Sequence, residues 1–399
     1  MYYCGIDIAK FRHEASVINA SGKSLQDSIS FANHKNGCEK LLAVFEKFGI
    51  SVSNVVIGME ATGHYWLSVY TFLAELGYSV KVINPIQSDA FRKMYIRQTK
   101  NDSKDSYIIA QIMRFGEYSE TTLSEENIVA LRQLSRYRFA LVDEISDCKR
   151  RVVSLLDQVF PEYEKLFSDT FGRSSQEVLQ NCPTPEEMLE ISTRKLTNIL
   201  SKASRGKFGK EKALELKQAA KNTFGISFAT DAFSFQMKQL IEQISFLENQ
   251  LSELESQITV LLHQTNQYIT TITGIGDILG AVIVSEIGDI HRFERPNQLV
   301  AFAGLDVTVR QSGEFSGTKN KLSKRGSPYL RRAIWLAASR AAFCDPVLSA
   351  YYQSLRERGK HHMTAVGAVA RKLCNIIFVI LKENRPYQSV PPKKISIVN

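Results

Sequence analysis

The chain has 399 residues, enough for two or three domains with a full core in each. Its 44% hydrophobic, 10% aromatic and 23% charged content excludes a wholly disordered or collagen-like chain. The net charge of +9 is uneven: residues 301–399 hold 17 Lys and Arg against 5 Asp and Glu, a net of +12, which leaves −3 for residues 1–300 and hints at a polyanion partner.

Residues 1–118 read as an α/β domain. MYYCGIDIA, HEASVINA and SLQDSISFA are short, rich in Ile, Val, Tyr and Phe, and separated by polar turns, which predicts a three-stranded meander. A helix follows over 36–48, with Leu41, Leu42, Val44 and Phe45 at helical spacing, then a buried strand VVIGM, a helix over 64–76 and a strand YSVKVIN. A further helix is expected after Asp102. The order βββαβαβ, ending in a helix, predicts a mixed sheet with helices on its faces.

Residues 123–165 predict one long helix whose seam of Leu131, Leu134, Arg138, Leu141, Ile145, Cys148, Val152, Leu155 and Val159 has the spacing of a coiled coil, interrupted by Arg138. A cleaner seam runs through Met237, Leu240, Ile244, Leu247, Leu251, Leu254, Ile258 and Leu261. Between them lies a helical, Lys-rich insertion over 166–230, with a helix start at Thr184-Pro185. Pairing of the two long helices within one chain and pairing between subunits fit this pattern equally well. Gly274-Ile275-Gly276 predicts a tight turn between helical segments, and a Gly/Ser/Lys loop QSGEFSGTKNKLSKRGS precedes helices starting at Ser327-Pro328 and near Met363. The resulting divisions are 1–120, 121–265 and 266–385, with a disordered tail expected over 386–399.

Cys4, Cys38, Cys148, Cys182, Cys344 and Cys374 stand singly without a C-x-x-C pair, so neither a zinc site nor a disulfide framework is encoded. The longest mostly apolar run, 373–381, is far below the roughly 20 residues that span a bilayer, and a basic-then-apolar N-terminal signal is missing. A cytoplasmic location is expected.

Four carboxylates stand out. Asp7 in GIDIAK and Glu60 in VVIGME sit in apolar strands, where a charge calls for a partner or a metal. Asp102 and Asp105 are three apart at a predicted helix start, so one turn places them on a common face. For that pair alone, acids stabilised by the helix dipole are a sufficient explanation. Gathered at one sheet edge, all four would suit Mg²⁺, and two such ions about 4 Å apart stabilise both oxygens of a phosphodiester exchange.

Taken in order, GIDIAK, FANHKNG, GMEATGHY, VINPIQSDAF and TKNDSKD resemble the RuvC-like (RNase H fold) N-terminal domain of the DEDD insertion-sequence transposases, the insertion sequence 110 family, to which the Piv-type invertases are related. TGIGDILGAVIVSEIGDIHRF, AFAGLDVTVRQSG and LSKRGSPYLRRAIW resemble that family's mainly helical C-terminal transposase domain. The resemblance implies Asp7, Glu60, Asp102 and Asp105 as Mg²⁺ ligands and Ser312 in RQSG as the nucleophile of a transient phosphoserine link. It also implies donor and target DNA, a noncoding guide RNA, and self-association as a dimer or tetramer acting on DNA in the bacterial nucleoid. Lys319, Lys321, Lys324 and Arg325, with Arg331 and Arg332 on the following helix, are expected phosphate contacts. Ser106 stands where the family pattern carries Ala. The insertion over 166–230 is longer and richer in Lys than in compact relatives.

Other functions weighed were a Piv-like invertase, a RuvC-like nuclease, an actin-like ATPase or sugar kinase, and a noncatalytic nucleic-acid-binding coiled-coil protein. The ATPase lacks a second Gly-rich phosphate loop. A plain binder leaves Asp7 and Glu60 without a purpose. His64, near Glu60, is expected to pack at a helix start rather than to act as a base.

Overall fold

Three antiparallel strands open the chain in the computed structural model, which describes residues 1–61, 63–83, 85–92, 102–116, 118, 126–307, 311–312, 315–316 and 322–389. These are β1 (Tyr2–Asp7), β2 (Arg12–Asn19) and β3 (Ser24–Ala32), followed by α1 (Lys35–Lys47), β4 (Val55–Glu60), α2 (Trp66–Glu75), β5 (Ser79–Ile83), α3 (Pro85–Arg92) and α4 (Asp102–Phe115). The sheet order is β3-β2-β1-β4-β5: β1 pairs antiparallel with β2 and parallel with β4, and β4 pairs parallel with β5. This is the mixed sheet that the meander followed by βα units predicts. The helix α3 was not foreseen, because eight residues opening on a proline give too short a window for helical periodicity to stand out.

Alternation along the strands explains the layering. Cys4 and Ile6 of β1, with Ile57 and Met59 of β4, join Leu41, Phe45, Val69 and Leu73 in the core on the α1 and α2 side. Tyr3 and Val56 point the other way and pack with Ile83, Ile108, Ile109, Ile112 and Met113. The sheet is therefore covered on both faces. The contact with α4 is tight because Gly5 and Gly58 are register partners on β1 and β4. A Cβ on Gly5 would lie 2.0 Å from the Ser106 carbonyl oxygen, and one on Gly58 would lie 2.5 Å from Met113 Cγ. The two glycines form a trough in which α4 rests.

These elements make up one compact unit, Met1–Leu123; Ser124–Asn399 form a second. The second unit contains α5 (Glu126–Val159), α6 (Arg173–Asn181), α7 (Pro185–Glu190), α8 (Thr193–Ser204), α9 (Lys210–Lys221), α10 (Thr230–His263), α11 (Asp277–Ile287) and α12 (Pro296–Phe302). The short strands β6 (Gln311–Ser312) and β7 (Phe315–Ser316) follow, then α13 (Pro328–Cys344), α14 (Pro346–Glu357) and α15 (His362–Glu383). Helices α5 and α10 pair with each other within the chain. Arg138 meets Glu255 at 2.6 Å and Lys149 meets Glu248 at 2.8 Å, so rising numbers on one helix face falling numbers on the other and the pair is antiparallel. Arg138, which interrupts the apolar seam, thus has its own acid across the interface. The insertion closes the far end, where Ile226 N–H donates to the Gln158 carbonyl at 2.9 Å.

Capping follows the sequence. Thr184 accepts from Glu187 N–H at the start of α7, with Pro185 in the first turn, and Ser327 accepts from Leu330 N–H at the start of α13. Gly274, at φ +92°, forms the expected turn, and a Cβ there would lie 2.8 Å from the Ala337 carbonyl, so the turn is packed against α13. One contiguous core runs through this unit from Leu131 to Leu381. Helix α15 is long and apolar enough to cross a bilayer, which counting uninterrupted apolar runs missed; 67% of its apolar window is buried in that core. Tyr387, in the segment expected to be disordered, instead docks back on the unit because its N–H donates to Thr271 Oγ1 at 2.8 Å and its hydroxyl to Asp345 Oδ2 at 3.1 Å.

Candidate active site

Asp7 and Glu60 end β1 and β4, which run parallel as neighbours with Ile6 opposite Met59. The next position on each strand is an acid, and adjacent strands lie about 4.8 Å apart. Period-two alternation places both acids on the face that carries Gly5, Gly58 and α4. Glu60 Oε2 accepts from Ser88 Oγ of α3 at 2.6 Å. Asp102 opens α4 and Asp105 follows one turn later, 7% exposed. Asp105 precedes the residue whose carbonyl fits against Gly5, so the glycine trough delivers this acid to the sheet.

Local polar contacts hold the edge. Ser106 Oγ lies 2.7 Å from Ser16 Oγ, which donates to the Asp27 carbonyl at 2.6 Å, so Ser106 ties α4 to β2. Just past Asp7, Ala9 N–H donates to His13 Nδ1 at 3.2 Å. Burial pushes the His13 pKa below its ordinary value, with an opposing contribution from Asn33. His64 does not pack as expected: it is exposed just before α2, and its ring lies tilted against Tyr65 with centroids 4.3 Å apart.

Carboxylate oxygens on one face of a sheet edge are hard donors that fit Mg²⁺ in kind. Among the described residues, no group of three or more His, Cys, Asp or Glu is gathered closely enough to hold an ion. The side chain of Asp102, the fourth acid, lies outside the described residues.

In the second unit Ser312 ends β6 and pairs with Phe315 of β7, next to a two-residue connection. Its side chain, Lys319 and Lys321 lie outside the described residues. The base of this loop is well defined. Val307 bridges Leu322, Ser323 N–H donates to the Asp306 carbonyl at 2.9 Å, and Ser327 N–H donates to the Phe302 carbonyl at 3.1 Å. Gly326 sits where a Cβ would lie 1.9 Å from the Phe302 carbonyl oxygen. Ser327 is also tied from below, because its hydroxyl donates to Glu286 Oε2 at 2.7 Å. Glu286, 5% exposed on α11, receives Arg136 of α5 in a bidentate pair at 2.6 and 3.0 Å. That pairing holds the Arg136 guanidinium above its ordinary pKa, whereas burial lowers that of Arg132, which donates to the Ser285 carbonyl at 2.7 Å.

Two family models match the chain: the DEDD transposase model of IS110 covers residues 4–161, and the one described as transposase IS116/IS110/IS902 family covers residues 266–353. The chain belongs to the IS110 family of transposases. Asp7, Glu60, Asp102 and Asp105 all fall in the first matched span and Ser312 in the second. Among IS110-type relatives, the chain is 23% identical to the uncharacterized 43.6 kDa protein of insertion element IS110 from Streptomyces coelicolor, over 99% of this chain and 97% of that one. It is 24% identical to the mini-circle putative transposase for IS117 of the same organism, over 91% and 89%. The pilin gene-inverting protein of Moraxella bovis is 22% identical, over 96% and 97%.

The cations expected near Ser312 differ in their surroundings in this transposase. Lys324 and Arg325 are exposed at the loop base. Arg331 donates to the Ala303 carbonyl at 3.4 Å, and Arg332 makes a bidentate pair with Asp143 at 2.8 and 2.9 Å while covering the Phe139 ring. Tyr329 and Trp335 pack against the core, as expected. Sequence reasoning missed Glu286 and Arg136. The signal was present: Glu286 is an acid inside the apolar run AVIVSEI, the same anomaly that singled out Asp7 and Glu60.

Proposed function

We propose that this transposase is a DNA recombinase in which Asp7, Glu60, Asp102 and Asp105 of a RuvC-like domain hold Mg²⁺ and Ser312 is the nucleophile. The observation that carries this reading is the placement of Asp7 and Glu60 side by side at the ends of parallel neighbours, with Asp105 on the helix seated against the same face. The cation, when bound, supplies Lewis-acid stabilisation of charge on the phosphate oxygens. The Ser312 hydroxyl attacks phosphorus, an Oγ–P bond forms, and one P–O bond to a deoxyribose breaks. The hydroxyl proton is given up and the departing sugar oxygen takes one, so a strand end leaves as a free hydroxyl. Attack of a strand-end hydroxyl on the phosphoserine then reseals the DNA and restores Ser312, so bond energy is conserved without an external energy source.

Lys319, Lys321, Lys324 and Arg325 supply cationic charge near the phosphate, whereas Arg331 and Arg332 are engaged by the Ala303 carbonyl and by Asp143. A noncoding RNA of the same mobile element selects the DNA, and a dimer or tetramer brings two duplexes together. The likeness to the pilin gene-inverting protein supports a second reading, site-specific inversion, which uses the same exchange on two sites of one molecule. Asp7→Asn and Ser312→Ala are each expected to abolish strand cleavage while DNA binding persists, and Ser312→Ala to abolish the covalent protein–DNA adduct seen on denaturing gels. Full cleavage by either variant overturns the assignment. A discrete structured RNA copurifying with the protein is the expected result for guidance, and random cellular RNA refutes it.

A further inference from the structure

The net of −3 over residues 1–300 hides a strongly basic element. The segment 193–221, which is α8, its turn and α9, holds nine Lys and Arg against two Glu. Two of the nine are used internally. Lys212 reaches the Leu166 carbonyl and pairs with Glu215 at 2.9 Å, and Lys217 donates to the Leu189 carbonyl at 2.8 Å. The other seven, Arg194, Lys195, Lys202, Arg205, Lys207, Lys210 and Lys221, are all exposed, and none has a carboxylate partner among the described residues. By contrast, Lys149 on α5 is matched by Glu248 and Lys238 on α10 by Glu187.

The placement is directional. Lys202, Arg205, Lys207 and Lys210 gather around one tight turn, where Arg205 adopts φ +54° and Gly206 φ +84°. Residues seven apart on a helix share a face, so Lys195 lies on the same side of α8 as Lys202, roughly 10 Å along the axis. On α9, Lys221 follows Lys210 on one stripe, roughly 16 Å away. The turn cluster with one further cation along each helix thus spans roughly 10 to 16 Å, comparable to the major groove of B-form DNA, about 12 Å wide with phosphates on both rims. Like charges crowded on a turn repel one another, and the hairpin's two glutamates, Glu211 and Glu215, leave most of that charge unmatched.

We propose that the α8–α9 hairpin docks on the phosphate backbone of duplex DNA as a surface separate from the cleavage centre. This rests on the reading that the chain acts on DNA and adds where the duplex is held. Contacts of this kind position the duplex without reading its sequence.

The test measures binding of full-length protein to a labelled duplex of arbitrary sequence by fluorescence anisotropy over a range of salt. Removing one cation that neutralises a phosphate reduces the slope of log K against log salt by about 0.9. Lys202→Glu/Arg205→Gly/Lys207→Glu/Lys210→Glu is expected to flatten that slope by about 3 to 4. Arg205→Gly alone relieves the left-handed backbone, so it is expected to keep or raise the melting temperature while flattening the slope by about 1. An unchanged slope in either folded variant overturns the proposal. A larger loss on a folded RNA than on the duplex overturns the assignment to DNA. Strand cleavage and the covalent adduct are scored separately on the wild-type protein and Ser312→Ala, so failure of the recombinase reading is distinguishable from failure of this one.

Discussion

Replacing Gly5 by Ala puts a methyl group where β1 meets α4. The added Cβ would lie 2.0 Å from the Ser106 carbonyl oxygen and 2.3 Å from Ala110 N, both backbone atoms of α4. Ordinary contact begins near 3.4 Å, so the helix must retreat by roughly 1.4 Å. Overpacking of this kind costs about 1–3 kcal/mol, and the upper end applies because no rotamer change can absorb it. Asp105 moves with the helix, and under the proposed reading it is displaced from its place beside Asp7 and Glu60. A displacement of 1 Å costs about 100-fold in rate, so strand cleavage is expected to fall at least that far. Gly58→Ala is the internal comparison. Its Cβ meets Met113 Cγ at 2.5 Å and Sδ at 2.7 Å, a flexible side chain that can turn aside, so a cost of about 1 kcal/mol is expected. Urea denaturation and a strand-cleavage assay read both quantities. Wild-type stability and cleavage in Gly5→Ala, or a larger loss in Gly58→Ala, refute the close-packing argument.

Glu286→Gln leaves the size of the side chain but removes the charge that Arg136 and Ser327 meet. Arg136 is 44% exposed and the cation left behind is partly solvated, so a loss of about 1 to 2 kcal/mol is expected by chemical denaturation; wild-type stability would show that the network does not hold the loop base. His13 sets a pH dependence. Its folded pKa lies below the ordinary value of about 6.5, so the unfolded chain binds more protons and stability falls as pH drops below that value. Denaturation midpoints are therefore expected to decline from about pH 7 to about pH 5 and to flatten in His13→Gln; the same slope in both proteins sinks the assignment to His13.

The order of strands and helices in the first unit is readable in the sequence because half-buried strands alternate and amphipathic helices repeat every three or four residues. The same local logic singles out Asp7 and Glu60, since an acid in an apolar strand is costly wherever that strand lies. Capping at Thr184 and Ser327 is equally local. What pairing partner a strand or helix takes is decided over long range. That β1 lies beside β4, so that Asp7 and Glu60 end adjacent strands, depends on the crossover through α1. That Arg138 answers Glu255 in the same chain, rather than in another subunit, depends on the insertion folding back at the far end of the helix pair. Glu286 lies about 40 residues from Ser327 and about 150 from Arg136 in sequence, and the three meet only because α5, α11 and α13 share one core. The hairpin charge lay in the composition all along, but a sum over 300 residues conceals it, and only the folded turn shows which lysines are exposed together. Local periodicity and the cost of burying charge therefore determine the elements and mark the unusual acids, whereas their convergence is set by tertiary packing, because contacts between distant segments leave no periodic trace in either one.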